Sequence, residues 1–203
     1  MSSVAHTTSD RILDTAERLV QMRGFNGFSY ADVAADLDIT KASLHYHFRG
    51  KAELGKALIE RYDERFTAAL DAIYAEPTGS LAKLGAYADL YAGVMDDERM
   101  CLCGMLAAEY RTLPGDMQHA VVDFFDANEA WLDKVLREGR KRGELAFTGS
   151  PREVARAMIS ALEGALLTSR PYSDPERFRA TARQMIKRLA NPAPRTARGA
   201  SGR

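Results

Sequence analysis

"DVAADLDITKASLHYHFRGKAEL" (residues 32–54) decides the fold, because a short amphipathic segment within it carries an unusual run of polar side chains. The hydrogen-bonding or charged side chains of this segment are Thr40, Lys41, Ser43, His45, Tyr46 and His47. A helix that only packed against its neighbours would not need so many. A helix that enters a polar groove, such as the major groove of DNA, would need them.

The apolar residues of the stretch predict two short helices joined by a tight turn. Val33 and Leu37 are spaced i, i+4 on the first helix, and Leu44 and Phe48 repeat that spacing on the second. Thr40 is a suitable N-cap for the second helix. The pattern is typical of a helix-turn-helix, whose second helix is supported on one face and enters a groove about 12 Å wide with the other.

The rest of the chain also predicts helices. Lys51 begins a long one, and "SPRE" (150–153) combines the serine, proline and glutamate of a strong helix start. The N-caps that the sequence predicts are Ser9, Ser29, Thr40, Ser80 and Ser150. No segment alternates with period two for long enough to form a strand. The predicted fold class is therefore all-α, with about nine helices.

Composition restricts the class of protein further. The 203 residues are 46% hydrophobic, which is enough for a core, and 28 basic residues balance 28 acidic ones. Net charge therefore says nothing about a nucleic-acid partner. We find no signal-peptide core and no uncharged apolar run of about 18 residues, so we expect a soluble, cytoplasmic protein without a membrane partner. Residues 1–8 are expected to form a flexible leader and residues 191–203 a disordered basic tail.

The stretch "GFSYADVAADLDITKASLHYHFRGKAELGKALI" (27–59), with "RILDTAERLVQMRGFNG" (11–27) before it, is very similar to the N-terminal domain of the tetracycline-repressor (TetR) family of bacterial transcriptional regulators. The aromatic-rich "LHYHF" followed by "RGKAEL" is more specific than a generic helix-turn-helix pattern. The resemblance covers about residues 9–60. It implies a DNA-binding domain at 9–50 and a ligand-sensing and dimerisation domain at 51–190.

The resemblance also implies roles for individual residues. Lys41 and Ser43 are candidates for base edges, Ala42 for a thymine methyl group, and the others for the phosphate backbone. The predicted DNA contacts are Ser29, Tyr30, Thr40, Lys41, Ala42, Ser43, His45, Tyr46, His47 and Lys51. Taken singly, Tyr46 is equally consistent with core packing and the two histidines with an ordinary surface. A His-x-His metal site is disfavoured, because side chains two apart on a helix diverge by about 200°.

The family resemblance implies a homodimer, and small residues in the last two large helices allow close helix approach. The predicted dimer contacts are Met158, Ala161, Leu162, Ala165, Met185 and Leu189. Packing within one chain is the alternative for them. A two-fold dimer predicts a palindromic operator in double-stranded DNA, with half-sites about 34–36 Å apart or a multiple of that.

The middle helices are rich in methionine and aromatic residues, which suit either a core or a pocket for a small apolar or aromatic effector. The predicted effector contacts are Phe66, Tyr87, Tyr91, Met95, Cys103, Met105, Phe124 and Phe125. In the family such a pocket lies among the fourth to seventh helices. We therefore expect a transcriptional regulator. The resemblance favours a repressor that leaves DNA when its effector binds.

Two other functions remain open at this stage. Cys101 and Cys103 lie near acids and Arg99, so a sensor of electrophiles or oxidants on the same scaffold is one alternative. A helical-bundle enzyme is the other. The sequence has no Glu-x-x-His pair, Gly-x-Ser-x-Gly, phosphate loop or Cys-x-x-Cys, so we expect neither an enzyme nor a cofactor or metal.

Overall fold

The computed structural model describes residues 7–191, apart from the side chain of Asp96. Within that range it contains nine α-helices and two short 3-10 turns, at Tyr110–Thr112 and Arg170–Tyr172. The α-helices are α1 Thr8–Arg23, α2 Tyr30–Leu37, α3 Lys41–His47, α4 Lys51–Ala75, α5 Ser80–Asp96, α6 Leu102–Ala108, α7 Gly115–Lys141, α8 Pro151–Ser169 and α9 Pro175–Lys187. The predicted all-α class is confirmed. Of the predicted leader (1–8) and tail (191–203), residues 1–6 and 192–203 lie outside the described residues. Thr7 and Thr8 begin α1, and Asn191 hydrogen-bonds to the carbonyls of Gly143 and Glu144.

Side-chain caps explain where several helices begin. Ser29 and Ser150 are N-caps, as predicted, and each forms a capping box, of which the sequence predicted only the one at Ser150. The Thr40 hydroxyl accepts a hydrogen bond from the Ser43 N–H at 3.1 Å. The prediction for Ser9 was wrong, because Thr7 caps α1 through a capping box with Asp10. Ser80 was also misplaced, since it is the first residue of α5 and Gly79 precedes it as N-cap.

The first three helices form a small unit around a shared apolar core. Ile12, Val33 and Leu44 are completely buried, and one comes from each helix. Phe48, just after α3, is also buried. The recognition helix is therefore supported from behind by apolar side chains, as the i, i+4 spacing predicts.

The remaining helices form a larger bundle, in which α7 packs on α4 and α8, and α9 packs on α5 and α8. Gly55 permits the close approach of α4 and α7, because a Cβ there would lie 2.6 Å from the Met117 sulfur. No helix among the described residues is long and apolar enough to cross a membrane.

The far end of α4 is anchored to the bundle by side chains that bind its last carbonyls. The buried Lys83 ammonium donates to the carbonyl oxygens of Ile73, Tyr74 and Glu76. The Trp131 indole N–H donates to the Leu70 carbonyl at 3.1 Å. A cation at a helix C-terminus satisfies unpaired carbonyls and complements the helix dipole.

Candidate DNA-recognition surface and effector cavities

The outer face of α3 is open to solvent over its whole length. Lys41, Ala42 and His45 are exposed, and Tyr46 is 86% exposed. Ser43 and His47 are partly exposed, whereas Leu44 is buried completely. Of the predicted base-reading residues, Lys41 and Ala42 therefore lie on the accessible face, and Ser43, which is partly exposed, lies at its edge.

The three hydroxyl residues near this face are each engaged locally. The Ser29 and Thr40 hydroxyls cap α2 and α3, and both residues remain exposed. The Tyr30 hydroxyl donates to the Phe48 carbonyl at 3.0 Å, and burial raises the pKa of this tyrosine to about 12. Tyr30 therefore ties α2 to the end of α3, in addition to any contact that it makes with DNA.

Lys51 is placed differently from the prediction of a phosphate contact. Its ammonium turns inward, donates to the carbonyls of Phe25 and Phe28, each at 2.5 Å, and lies over both phenyl rings. Burial lowers the pKa of Lys51, while the neighbouring Glu109 opposes that shift. The two carbonyl groups and the two phenyl rings bind the ammonium group and hold it in one position. In this position Lys51 holds the α1–α2 turn against the start of α4.

Three acids of the first two helices form ion pairs with arginines of α1 and α4. Glu17 accepts from Arg61 and Arg65 of α4, and Arg61 also pairs with Asp14. Asp36 pairs with Arg18 at 2.7 Å. These contacts neutralise much of the negative charge that the sequence places in the DNA-binding domain.

A contact that the sequence did not predict joins the DNA-binding domain to the bundle. The Glu109 carboxylate, at the end of α6, accepts hydrogen bonds from the N–H groups of Phe25 and Asn26. The Asn26 side chain donates to the Thr112 hydroxyl at 2.7 Å. Gly24 lets the carboxylate approach, because a Cβ there would lie 2.9 Å from it. No local pattern reveals this contact, since the partners are 83 residues or more apart.

The predicted effector residues do not line one common cavity. Met105 and Phe125 face a cavity of about 460 Å³ between α6, α7 and α8, whereas Phe66 and Met95 line two others. The remaining four, Tyr87, Tyr91, Cys103 and Phe124, are buried. Tyr87 donates to Asn128 at 3.0 Å and contacts the Tyr91 hydroxyl, so these aromatic residues form part of a hydrogen-bonded core.

Glu163 of α8 is the notable residue of the 460 Å³ cavity, and the sequence did not single it out. Its Oε1 atom is buried without a hydrogen-bond partner among the described residues. Burial raises the pKa of its carboxyl from 4.5 to about 7. Nothing in the local sequence distinguishes it from a solvent-facing glutamate.

The two cysteines are fully buried, with 0% exposure each. Burial, and then the neighbouring Glu163, raises the pKa of both thiols well above the usual value. The Tyr62 hydroxyl donates to the Cys101 sulfur at 3.8 Å. Burial and the neighbouring carboxyl group of Glu163 oppose formation of a reactive thiolate, and they outweigh the hydrogen bond that Tyr62 donates to Cys101.

An exposed apolar groove runs between α8 and α9. Of the predicted dimer contacts, Met158, Ala161, Met185 and Leu189 line it. Leu162 and Ala165 do not line it, because they face the core of their own chain, with Leu162 only 1% exposed. Residues that the prediction omitted complete the groove, and these include Val154, Ala157, Ala180 and Thr181.

An exposed α3 that is supported from behind by apolar side chains, next to a larger helical bundle, defines a helix-turn-helix DNA-binding protein. Comparison with known proteins identifies the family. The family model "Bacterial regulatory proteins, tetR family" matches residues 12–58. The model "Tetracyclin repressor-like, C-terminal domain" matches residues 80–185, more than half of the chain. The chain therefore belongs to the TetR family of transcriptional regulators, which are not enzymes.

Individual relatives agree with this assignment. The transcriptional regulator AcuR of Cereibacter sphaeroides is 30% identical over 155 residues, which are 73% of this chain and 69% of AcuR. The HTH-type transcriptional repressor NemR of Escherichia coli is 27% identical over 180 residues, 81% of this chain and 85% of NemR. The crystal structure of a TetR-family regulator from Agrobacterium tumefaciens has 32% identity and a TM-score of 0.86, covering 90% of this chain and 97% of that one.

Proposed function

We propose that the protein is a ligand-responsive repressor that binds a palindromic operator as a homodimer and leaves it when a small apolar or aromatic effector binds. The observation that carries the proposal is the exposed polar face of α3 over a fully buried Leu44. The similarity to NemR, a transcriptional repressor, favours repression over activation. As a repressor, this protein would act in the cytoplasm, where bacterial operators lie.

We assign base reading to Lys41, Ala42 and Ser43 at the start of α3, where side chains of a recognition helix meet base edges. Ser29, Tyr30, Thr40, His45, Tyr46 and His47 are assigned to the phosphate backbone. Lys51 is assigned a positioning role, because its ammonium is already hydrogen-bonded to the α1–α2 turn.

The α8–α9 groove supports a two-fold dimer. Its lining is mostly apolar and includes small residues such as Ala157, Ala161 and Ala180, so helices of a second copy can approach closely. A two-fold axis there gives each dimer two copies of α3, which matches an operator with two half-sites. Residues 9–50 would form the reading head and residues 51–190 the sensing and dimerisation domain.

Coupling between the two domains is supported by the contact of Glu109 with the α1–α2 turn. An effector that displaces α6 or α4 would move this turn, and the recognition helix with it. The effector needs only to bind the non-binding arrangement more tightly than the DNA-competent one.

The test is operator binding by fluorescence anisotropy, with a palindrome from the region upstream of the protein's own gene. We expect binding that weakens steeply as salt rises, because phosphate contacts release counterions. Lys41→Ala should weaken binding, whereas Lys141→Ala, which removes an exposed charge at the end of α7, should not. Absence of binding to any duplex, or equal binding by both variants, would contradict the proposal.

A further inference from the structure

The cavity between α6, α7 and α8 combines an apolar wall with one unsatisfied carboxyl group. Its volume is about 460 Å³, within the usual range for small-molecule sites. Its apolar walls include Met100, Met105, Phe125, Ile159 and Leu167. Glu163 is the polar group that stands out among them.

Glu163 has one weak partner, the thiol of Cys101, and no ion pair among the described residues explains its burial. Its Oε1 atom makes no hydrogen bond within residues 7–191, whereas buried carboxylates are almost always paired. The nearby Tyr62 hydroxyl donates to the Cys101 sulfur, and Tyr87 donates to Asn128. These two hydroxyl groups are therefore engaged with other acceptors, and the Cys101 thiol is a weak donor to the Glu163 carboxyl group.

The space that the carboxyl group occupies depends on a glycine of the facing helix. A Cβ at Gly104 of α6 would lie only 2.3 Å from the Oε2 atom of Glu163 and 3.2 Å from Oε1. Any other residue at position 104 would displace the carboxyl group. Gly104 thus leaves room for the carboxyl group of Glu163 at the wall of the cavity.

The cations around the cavity bind other groups and do not pair with the carboxyl group of Glu163. The lining contains the carboxylates of Asp126, Glu129 and Glu163 and the guanidinium of Arg156. Arg156 donates to Glu129 at 2.7 Å. Arg170, the next cation along the chain from Glu163, donates to the Met105 sulfur and the Met22 carbonyl. Both cations are therefore paired with other groups.

We propose that this cavity is the effector site and that it takes apolar or aromatic compounds bearing one protonated amine, whose ammonium group pairs with Glu163. The apolar walls would hold the body of such a compound, and the ammonium group would donate to the orphaned Oε1 atom. An arriving cation would also lower the raised pKa of the Glu163 carboxyl. The inference rests on the proposed function, since it names the class of effector for that regulator.

The position of the cavity connects it to the DNA-binding domain. Gly104, Met105, Ala107 and Ala108 of α6 line the cavity, and the next residue is Glu109. The Glu109 carboxylate holds the N–H groups of the α1–α2 turn. A ligand that shifts α6 would therefore shift that turn directly.

The test is isothermal titration calorimetry of the full-length protein with naphthylethylamine, with the neutral isostere naphthylethanol and with the anion naphthylpropionate. We expect the wild type to bind the amine at least about tenfold more tightly than the alcohol, and the anion least, because an ammonium–carboxylate pair adds to the shared apolar contact. Equal affinity for amine and alcohol would overturn the proposal, and this comparison needs no variant.

Two matched variants locate the site. Glu163→Gln keeps the shape of the side chain and should reduce the preference for the amine to about twofold or less. Ser160→Ala alters the same wall without changing its charge and should keep the preference. A preference that survives in Glu163→Gln, checked for helicity by circular dichroism, would contradict the assignment of Glu163.

Operator anisotropy separates this inference from the proposed function. If the amine binds and releases the operator in the wild type but not in Glu163→Gln, both proposals are supported. If the amine binds without releasing a bound operator, the effector assignment is wrong. If the protein binds no operator, the proposed function fails, while calorimetry still decides whether the cavity takes organic cations.

Discussion

The Glu109 carboxylate accepts a hydrogen bond from the Asn26 backbone N–H at 3.1 Å and thereby joins the sensing bundle to the DNA-binding domain. Its other oxygen accepts from the N–H of Phe25. This contact lies between the proposed effector cavity and the recognition helix. The α1–α2 turn is therefore one of the contacts between the two parts of the chain, together with the ion pairs of Glu17 with Arg61 and Arg65.

Glu109→Gln should loosen that turn. The amide keeps one oxygen acceptor but loses the charge that strengthens both bonds. We expect the backbone amides of residues 25 and 26 to exchange with solvent about tenfold faster, measured by hydrogen–deuterium exchange. Glu64→Gln, an exposed change on α4, is the control and should leave them unchanged. Equal exchange in both variants would show that the contact does not restrain the turn.

Lys51→Met should destabilise the free protein without changing the salt dependence of operator binding. The methionine keeps the apolar stem but removes a cation that donates to two carbonyls, at a cost of about 1–3 kcal/mol. Chemical denaturation would measure this loss. Lys56→Met, on the same helix and exposed, is the control.

The salt slope distinguishes this role from a phosphate contact by Lys51. A plot of the logarithm of the operator-binding constant against the logarithm of the salt concentration has a slope set by the number of neutralised phosphates. If both copies of Lys51 in a dimer neutralise phosphates, the magnitude of this slope should fall by about 1.8 in the variant. That result, together with unchanged stability, would return Lys51 to the DNA-contacting set.

Tyr46→Phe tests the recognition face by removing a single hydroxyl group. Because Tyr46 is 86% exposed, its loss should not affect thermal stability. Two lost hydrogen bonds per dimer should weaken operator binding about tenfold, measured by anisotropy. Tyr172→Phe, also exposed but in the bundle, serves as the control. Unchanged affinity would remove Tyr46 from the contact set.

The raised pKa of Glu163 makes stability depend on pH. Between pH 4.5 and about 7 the folded protein holds a proton on this carboxyl that the unfolded chain releases, so stability falls as pH rises through that range. The cost above pH 7 is on the order of 3 kcal/mol, since one pH unit corresponds to about 1.4 kcal/mol. Denaturation midpoints of Glu163→Gln should lose this slope. Parallel pH curves for both proteins would show that Glu163 titrates normally.

Cys101 and Cys103 should resist alkylation in the native state. Both are fully buried and their thiol pKa values are raised, so only rare opening exposes them. We expect iodoacetamide labelling at neutral pH to be at least about a hundredfold slower than in urea, measured by mass spectrometry. Rapid native labelling would instead support the thiol sensor that the sequence left open.

The sequence predicted features that depend on neighbouring residues. The caps at Ser29, Thr40 and Ser150, and the burial of Leu44, follow from local spacing, and the structure has them. Ser9 competed with an equally good cap two residues earlier, and spacing alone does not choose between them.

Features that depend on tertiary packing were not predictable in this way. The carboxylate of Glu109 and the turn at Asn26 are 83 positions apart in the sequence and meet only when the chain is folded. Glu163 lies between Leu162 and Gly164 and resembles a surface residue until α6 packs over it. The predicted effector residues do not share one cavity for the same reason, because aromatic residues at helical spacing fill a core as readily as they line a cavity.

The anchoring of α4 by Lys83 has a geometric consequence. The helix has 25 residues and is about 37 Å long at 1.5 Å per residue, and its C-terminal end is the end that Lys83 holds. A tilt of about 5° displaces the opposite tip by about 3 Å, close to the 3.4 Å rise of one base step. Opposite tilts of α4 in the two subunits of a dimer would change the distance between the two DNA-binding domains by about 6 Å. A tilt of α4 that is too small to disturb the core would then move both α3 helices out of alignment with the DNA grooves.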